Sequence, residues 1–96
     1  MTTNLDRSKH KYTGESKNFG IRWVKALASD ETISTSTWAV ESGSGLTIVT
    51  DSETTTVTTV KLSGGNAGTW DVTNTITTSS PYSQTLIERL QIEVEA

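Results

Sequence analysis

The strongest constraint on this chain is an apolar repeat of two residues that runs on both sides of a glycine-rich stretch, "VKLSGGNAGTWDV", Val60 to Val72. Before the glycines, Thr58, Val60 and Leu62 alternate with polar neighbours; after them, Trp70, Val72, Asn74 and Ile76 do the same. A repeat of two lines one face of an extended strand, whereas a helix needs spacings of three and four. Glycine loops also cradle phosphates, but that use requires a lysine in the loop and a helix N-terminus behind it. Here strand periodicity resumes directly after Gly68. Gly64, Gly65 and Gly68 are therefore expected to supply the positive φ of a tight turn, in a β-hairpin between two core strands.

The same period recurs along the chain. Phe19, Ile21 and Trp23 alternate first, and "LASDE" then reads as a turn. "TISTSTWAV" is β-branched and aromatic, with an apolar parity that changes between Ile33 and the pair Trp38 and Val40, which predicts a bulge or a crossing between sheets. "LTIV" is a short strand with Leu46 and Ile48 on one face, "TDSE" a turn, and "TTTVTTVKL" a half-exposed strand. Pro81 in "SSPYS" breaks the pattern. The last segment, Thr85 to Glu95, contains helix formers, and Leu86, Ile87, Leu90 and Val94 would fit a helical face. Its alternation of Leu90, Ile92 and Val94 with Arg89, Gln91, Glu93 and Glu95 favours a strand. About seven short strands with turns roughly every 8 to 12 residues predict an all-β fold, an immunoglobulin-like β-sandwich. Its expected core is Phe19, Ile21, Trp23, Trp38, Val40, Val60, Leu62, Trp70, Val72, Asn74, Ile76, Leu90, Ile92 and Val94. Asn74 is the odd member: a buried amide must be hydrogen-bonded, so it is expected to tie a neighbouring strand or turn in place.

A chain of 96 residues holds one domain. Residues 1–18 show no periodicity and little apolar content, and are expected to form a flexible arm ahead of a domain spanning residues 19–96. Leu, Ile, Val and Phe make up about a fifth of the chain, near the level at which disorder sets in. A net charge of only -3 and three tryptophans oppose disorder. With no cysteine, neither disulfides nor thiolate metal sites support this thin core, so oligomerisation or docking to a partner is expected to do so. The mild acidity gives no electrostatic footprint for nucleic acid, and no apolar run has the length of a signal or a membrane span. The basic group Arg7, Lys9, His10 and Lys11 is expected to be a solvated part of the arm.

Catalytic chemistry finds little material. Nucleophilic catalysis needs a base held beside the nucleophile, and the single His10 falls in the expected arm. The acidic pairs Asp30 with Glu31 and Asp51 with Glu53 lie in expected turns, where carboxylates are ordinary, and lack the spacing of a calcium loop. Trp23, Trp38 and Trp70 follow the apolar parity of strands, as core residues do, with Trp70 the most exposed. No enzyme, cofactor or metal is expected.

Three segments, in this order and spacing, carry a resemblance: "FGIRW" at Phe19 to Trp23, "ETISTSTWAV" at Glu31 to Val40, and "LSGGNAGTWDVTNTITT" at Leu62 to Thr78. From about Lys11 to Val94 the chain resembles the fibre-tail adaptor proteins of tailed bacteriophages and prophages, small virion proteins with an immunoglobulin-like fold. It departs from them at Arg22, where members often carry an acid, and at "SSPYSQ", where members often have a glycine and arginine turn. The resemblance implies a virion structural protein made in the bacterial host cytoplasm. Such a protein would work without enzymatic activity or cofactor, docked in several copies to tail, neck or fibre components. A capsid cement or decoration protein, and a carbohydrate-binding or adhesion module, are the alternatives.

Overall fold

A computed structural model describes residues 9–96. The described residues form seven strands: β1 (His10–Tyr12), β2 (Lys17–Arg22), β3 (Ile33–Val40), β4 (Leu46–Glu53), β5 (Val57–Gly64), β6 (Gly68–Thr78) and β7 (Thr85–Glu95). They build two sheets, ordered β1-β7-β6-β3 and β2-β5-β4. All pairs are antiparallel except β1 with β7. This two-sheet order fits the expected immunoglobulin-like layout, and the last segment is a strand rather than a helix.

The alternating residues face one shared core. Val60 and Leu62 from β5 meet Val72 and Ile76 from β6 and Ile92 and Val94 from β7, all buried, with Phe19, Ile21, Trp23, Ile33, Trp38, Leu46 and Leu90 completing the cluster. Val40 and Trp70 are half-buried and pack against its rim rather than inside it. The parity change in β3 is a bulge: the register with β6 shifts between Ile33 and Thr35, which returns Trp38 to the inner face.

Three expectations are corrected. The glycine stretch is not a hairpin, because β5 and β6 lie in different sheets and Gly64 to Gly68 carries the chain across the core from one to the other. The true hairpins join β4 to β5 and β6 to β7. Period two shows only that a strand has a buried face, and two strands of one sheet bury theirs in the same way as two facing strands. "TDSE" is not a turn but the end of β4, which pairs with β5 as far as Glu53 with Thr58. Its exposed polar residues carry no alternation because one register shift, between Ile48 and Thr50, precedes them and neither face there is buried. The ordered body also begins ahead of residue 19. Residues 10–12 form β1 and residues 17–18 open β2, while residues 1–8 of the expected arm lie outside the described residues. A three-residue strand is too short to show a period, which is why β1 was hidden.

Candidate functional site

The surfaces of the sandwich are set by what the side chains do at its two ends and along its edges. At the centre, Asn74 joins the layers. Its Oδ1 accepts from the Thr58 hydroxyl of the facing sheet at 2.6 Å and from Trp23 Nε1 at 3.2 Å, and Trp23 Nε1 also donates to Thr58 Oγ1 at 3.0 Å. Its Nδ2 donates to Ser36 Oγ and to the Thr37 carbonyl on β3, both at 3.0 Å. The amide thus holds the adjacent strand, and it also bridges the sheets, a contact to which periodicity gave no clue.

One end of the sandwich carries the β1–β2, β3–β4 and β5–β6 crossings between the sheets. Asn66 N–H donates to the Ser44 carbonyl at 2.7 Å and Asn66 Nδ2 to the Gly43 carbonyl at 3.0 Å, latching the glycine stretch to the β3–β4 connection. Trp70 Nε1 donates to the Asn66 carbonyl at 2.8 Å, so the half-buried indole is spent on the same latch. Lys11 is fully buried here, and its Nζ donates to the carbonyls of Gly64 and Tyr12, both at 2.6 Å. Of the basic group expected in solvent, Lys11 is therefore a structural clamp between β1 and the glycine crossing. Burial lowers its pKa, the neighbouring Glu15 opposes that, and Lys17 adds to it. His10 lies against Glu95 through Nε2 and packs edge-on to Tyr12, and Arg7 lies outside the described residues.

The opposite end is organised by Glu31, whose side chain is buried. Its Oε1 accepts from Ala28 N–H and its Oε2 from Gln84 Nε2, each at 2.9 Å. Hydrogen bonds from the Thr78 hydroxyl first, then Ala28 N–H, hold the carboxyl below the usual carboxylate range; burial works against them and Gln84 adds a smaller pull. Beside it, Tyr82 Oη donates to Asp30 Oδ1 at 2.6 Å, which pushes the phenol pKa up. The pair Asp30 and Glu31 is thus divided. Asp30 bonds a surface tyrosine and Glu31 ties the β2–β3 connection to the β6–β7 turn, a role that "SDET" does not signal. Asp51 and Glu53 stay exposed on β4.

The flank of the sandwich differs from its ends. β1 covers β7 only from Glu93 to Glu95, and no described strand pairs with the outer side of β7 before that. Beside this edge, β2 of the other sheet leaves a polar groove of about 350 Å³, lined by Lys9, by Gly20, Ile21 and Arg22 on one side and by Glu88, Arg89 and Leu90 on the other. Ile87, 63% exposed, stands at the same edge.

The sandwich is closed at both ends by polar latches, and along one flank no described strand pairs with β7. Comparison with protein families gives its lineage: the family model of the podophage GP4 fiber-tail adaptor protein gp77 matches residues 11–92. The chain belongs to this fiber-tail adaptor family. The match begins at the buried Lys11 and ends at the buried Ile92, and so takes in every strand from β2 to β6 and most of β7. No curated protein and no solved structure matches the chain.

Proposed function

We propose that this protein is a structural component of a bacteriophage particle that sits in several copies at the tail and holds other virion proteins, tail or fibre components, by surface complementarity. The observation that carries it is the fiber-tail adaptor match over residues 11–92. Two features of the fold support it. The tryptophans expected as core are used inside the protein, Trp23 and Trp38 buried and Trp70 bound to Asn66, which leaves no indole platform of the kind a carbohydrate-binding module presents. The stretch of β7 with which no described strand pairs offers backbone for contact with another chain.

The protein is made in the host cytoplasm and resides in the virion. Gold-labelled antibody on purified particles tests the placement, with label expected at the tail where fibres attach. Label spread over the head identifies a capsid decoration protein instead. A glycan array that binds the purified chain would replace both by the adhesion module.

A further inference from the structure

β3 lies at the end of its sheet, with β6 on one side and no described strand on the other. Glu41 N–H donates to the Asp71 carbonyl at 3.1 Å, so the backbone groups of Glu41 point toward β6. By the two-residue repeat those of Ala39 and Thr37 do the same, and those of Ser36, Trp38 and Val40 point away from the sheet. Proteins protect such an edge with charge, proline, brevity or a bulge, each of which opposes a further strand. The other strands at the ends of the two sheets carry these devices: β2 has Lys17 and Arg22, β4 has Asp51, Glu53 and a register shift in mid-strand, and β1 is 3 residues long. β3, "ISTSTWAV", has no charge and no proline, and its register shift lies at its start, between Ile33 and Thr35.

We propose that β3 of a second copy of this chain pairs antiparallel with this edge across a two-fold axis at Trp38, joining the two sheets that contain β3 into one continuous sheet. The inference rests on the multi-copy reading of the adaptor. An edge that pairs with itself brings its own charges together near the axis, and β3 brings none. With the axis at Trp38, Trp38 faces its counterpart, Ser36 faces Val40 and Thr37 faces Ala39, so all three outward-pointing residues gain a backbone partner. An axis one residue earlier would set Val40 against Ser34, inside the register shift. The facing sheet agrees with the same axis. Ile33 N–H donates to the Thr55 carbonyl at 3.0 Å, which puts the acidic end of β4 beside the start of β3. The two-fold sets the start of one β3 against the end of the other, so Asp51 and Glu53 of the two copies stay apart.

The test uses the full chain, which has no cysteine of its own, and changes Thr37 and Ala39, whose side chains are exposed and outside the core. Thr37→Cys and Ala39→Cys are placed on separately tagged chains, mixed and oxidised, since facing residues of an antiparallel pair that is not hydrogen-bonded have the spacing a disulfide needs. A disulfide-linked dimer carrying both tags is expected, and none when Thr59→Cys on β5 replaces Ala39→Cys. In sedimentation, the chain with Thr37→Lys and Ala39→Lys should self-associate about tenfold more weakly than the parent, and the chain with Thr37→Lys and Ala39→Glu should recover the parent's association. The proposal is overturned by a parent chain that remains monomeric at about millimolar concentration, where even weak association shows. It is equally overturned by self-association indifferent to the two lysines, or by a tagged dimer that forms as readily through Thr59→Cys. Any of these with label still at the tail removes this inference and leaves the adaptor role standing. Label absent from the tail removes the adaptor role, while the cross-link and the charge pair still report on β3.

Discussion

Two buried polar residues carry most of what is unusual in this core. Asn74 makes four hydrogen bonds at full burial, so Asn74→Ala takes a partner from the Thr58 hydroxyl, Ser36 Oγ and the Thr37 carbonyl and leaves Trp23 Nε1 only its bond to Thr58 Oγ1. Such a loss is expected to cost about 2 to 3 kcal/mol, read as a lower denaturation midpoint with an unchanged circular dichroism spectrum. Glu31 gives a pH dependence instead. Its carboxyl is held below its ordinary value of 4.5, so its contribution is present above that value and fades as pH falls through the lower folded value. Glu31→Gln is expected to melt below the parent at neutral pH, where an amide must oppose Ala28 N–H or Gln84 Nε2 donor to donor. The gap should narrow as the pH drops below about 4.5, and thermal melts across that range check it. Of the two residues, Asn74 was legible in the sequence because its parity forced the question of a partner. Glu31 was not, since a glutamate in a turn looks the same whether it is solvated or caps the connection.

Among the elements, the glycine crossing is the one whose geometry leaves least room for change. Gly65 sits at φ +106°, and a Cβ there would lie 2.8 Å from Leu46 Cδ2 and 3.4 Å from Val94 Cγ1. Backbone strain and core overlap act together, so Gly65→Ala is expected to destabilise by about 2 kcal/mol or more, measured by chemical denaturation. Asn66→Ala should act more gently, by about 1 kcal/mol, because it removes only the side-chain bond to the Gly43 carbonyl and leaves the backbone bond to Ser44. The glycines were legible as a place where the backbone needs φ above zero. The partner of each flanking strand was not, because a hairpin and a sheet crossing make the same demand on the backbone and differ only in which strands then pair.

For the whole molecule, the sandwich is latched by polar bonds at both ends, which suits a body that keeps its shape. Phage grown without this protein are expected to yield DNA-filled heads that carry fewer fibres, counted by electron microscopy. Restoring the chain with Asn74→Ala should recover fibres at low temperature and lose them on warming, since that change touches stability and no surface.

By itself the sequence determined that the chain is all-β, where most of its strands after residue 18 lie, and which family it resembles. All of these follow from local rules: side-chain alternation, the conformational needs of glycine and proline, and the order of short motifs. Only the tertiary structure decided that the glycine stretch joins two sheets, that Lys11 and Glu31 are buried clamps, and that β1 pairs in parallel with the end of β7. Each of these depends on contacts between residues far apart in the chain, as Lys11 with Gly64, Glu31 with Gln84 and β1 with the tail of β7 show. A local pattern specifies that a face is buried, and the packing of distant segments specifies against what.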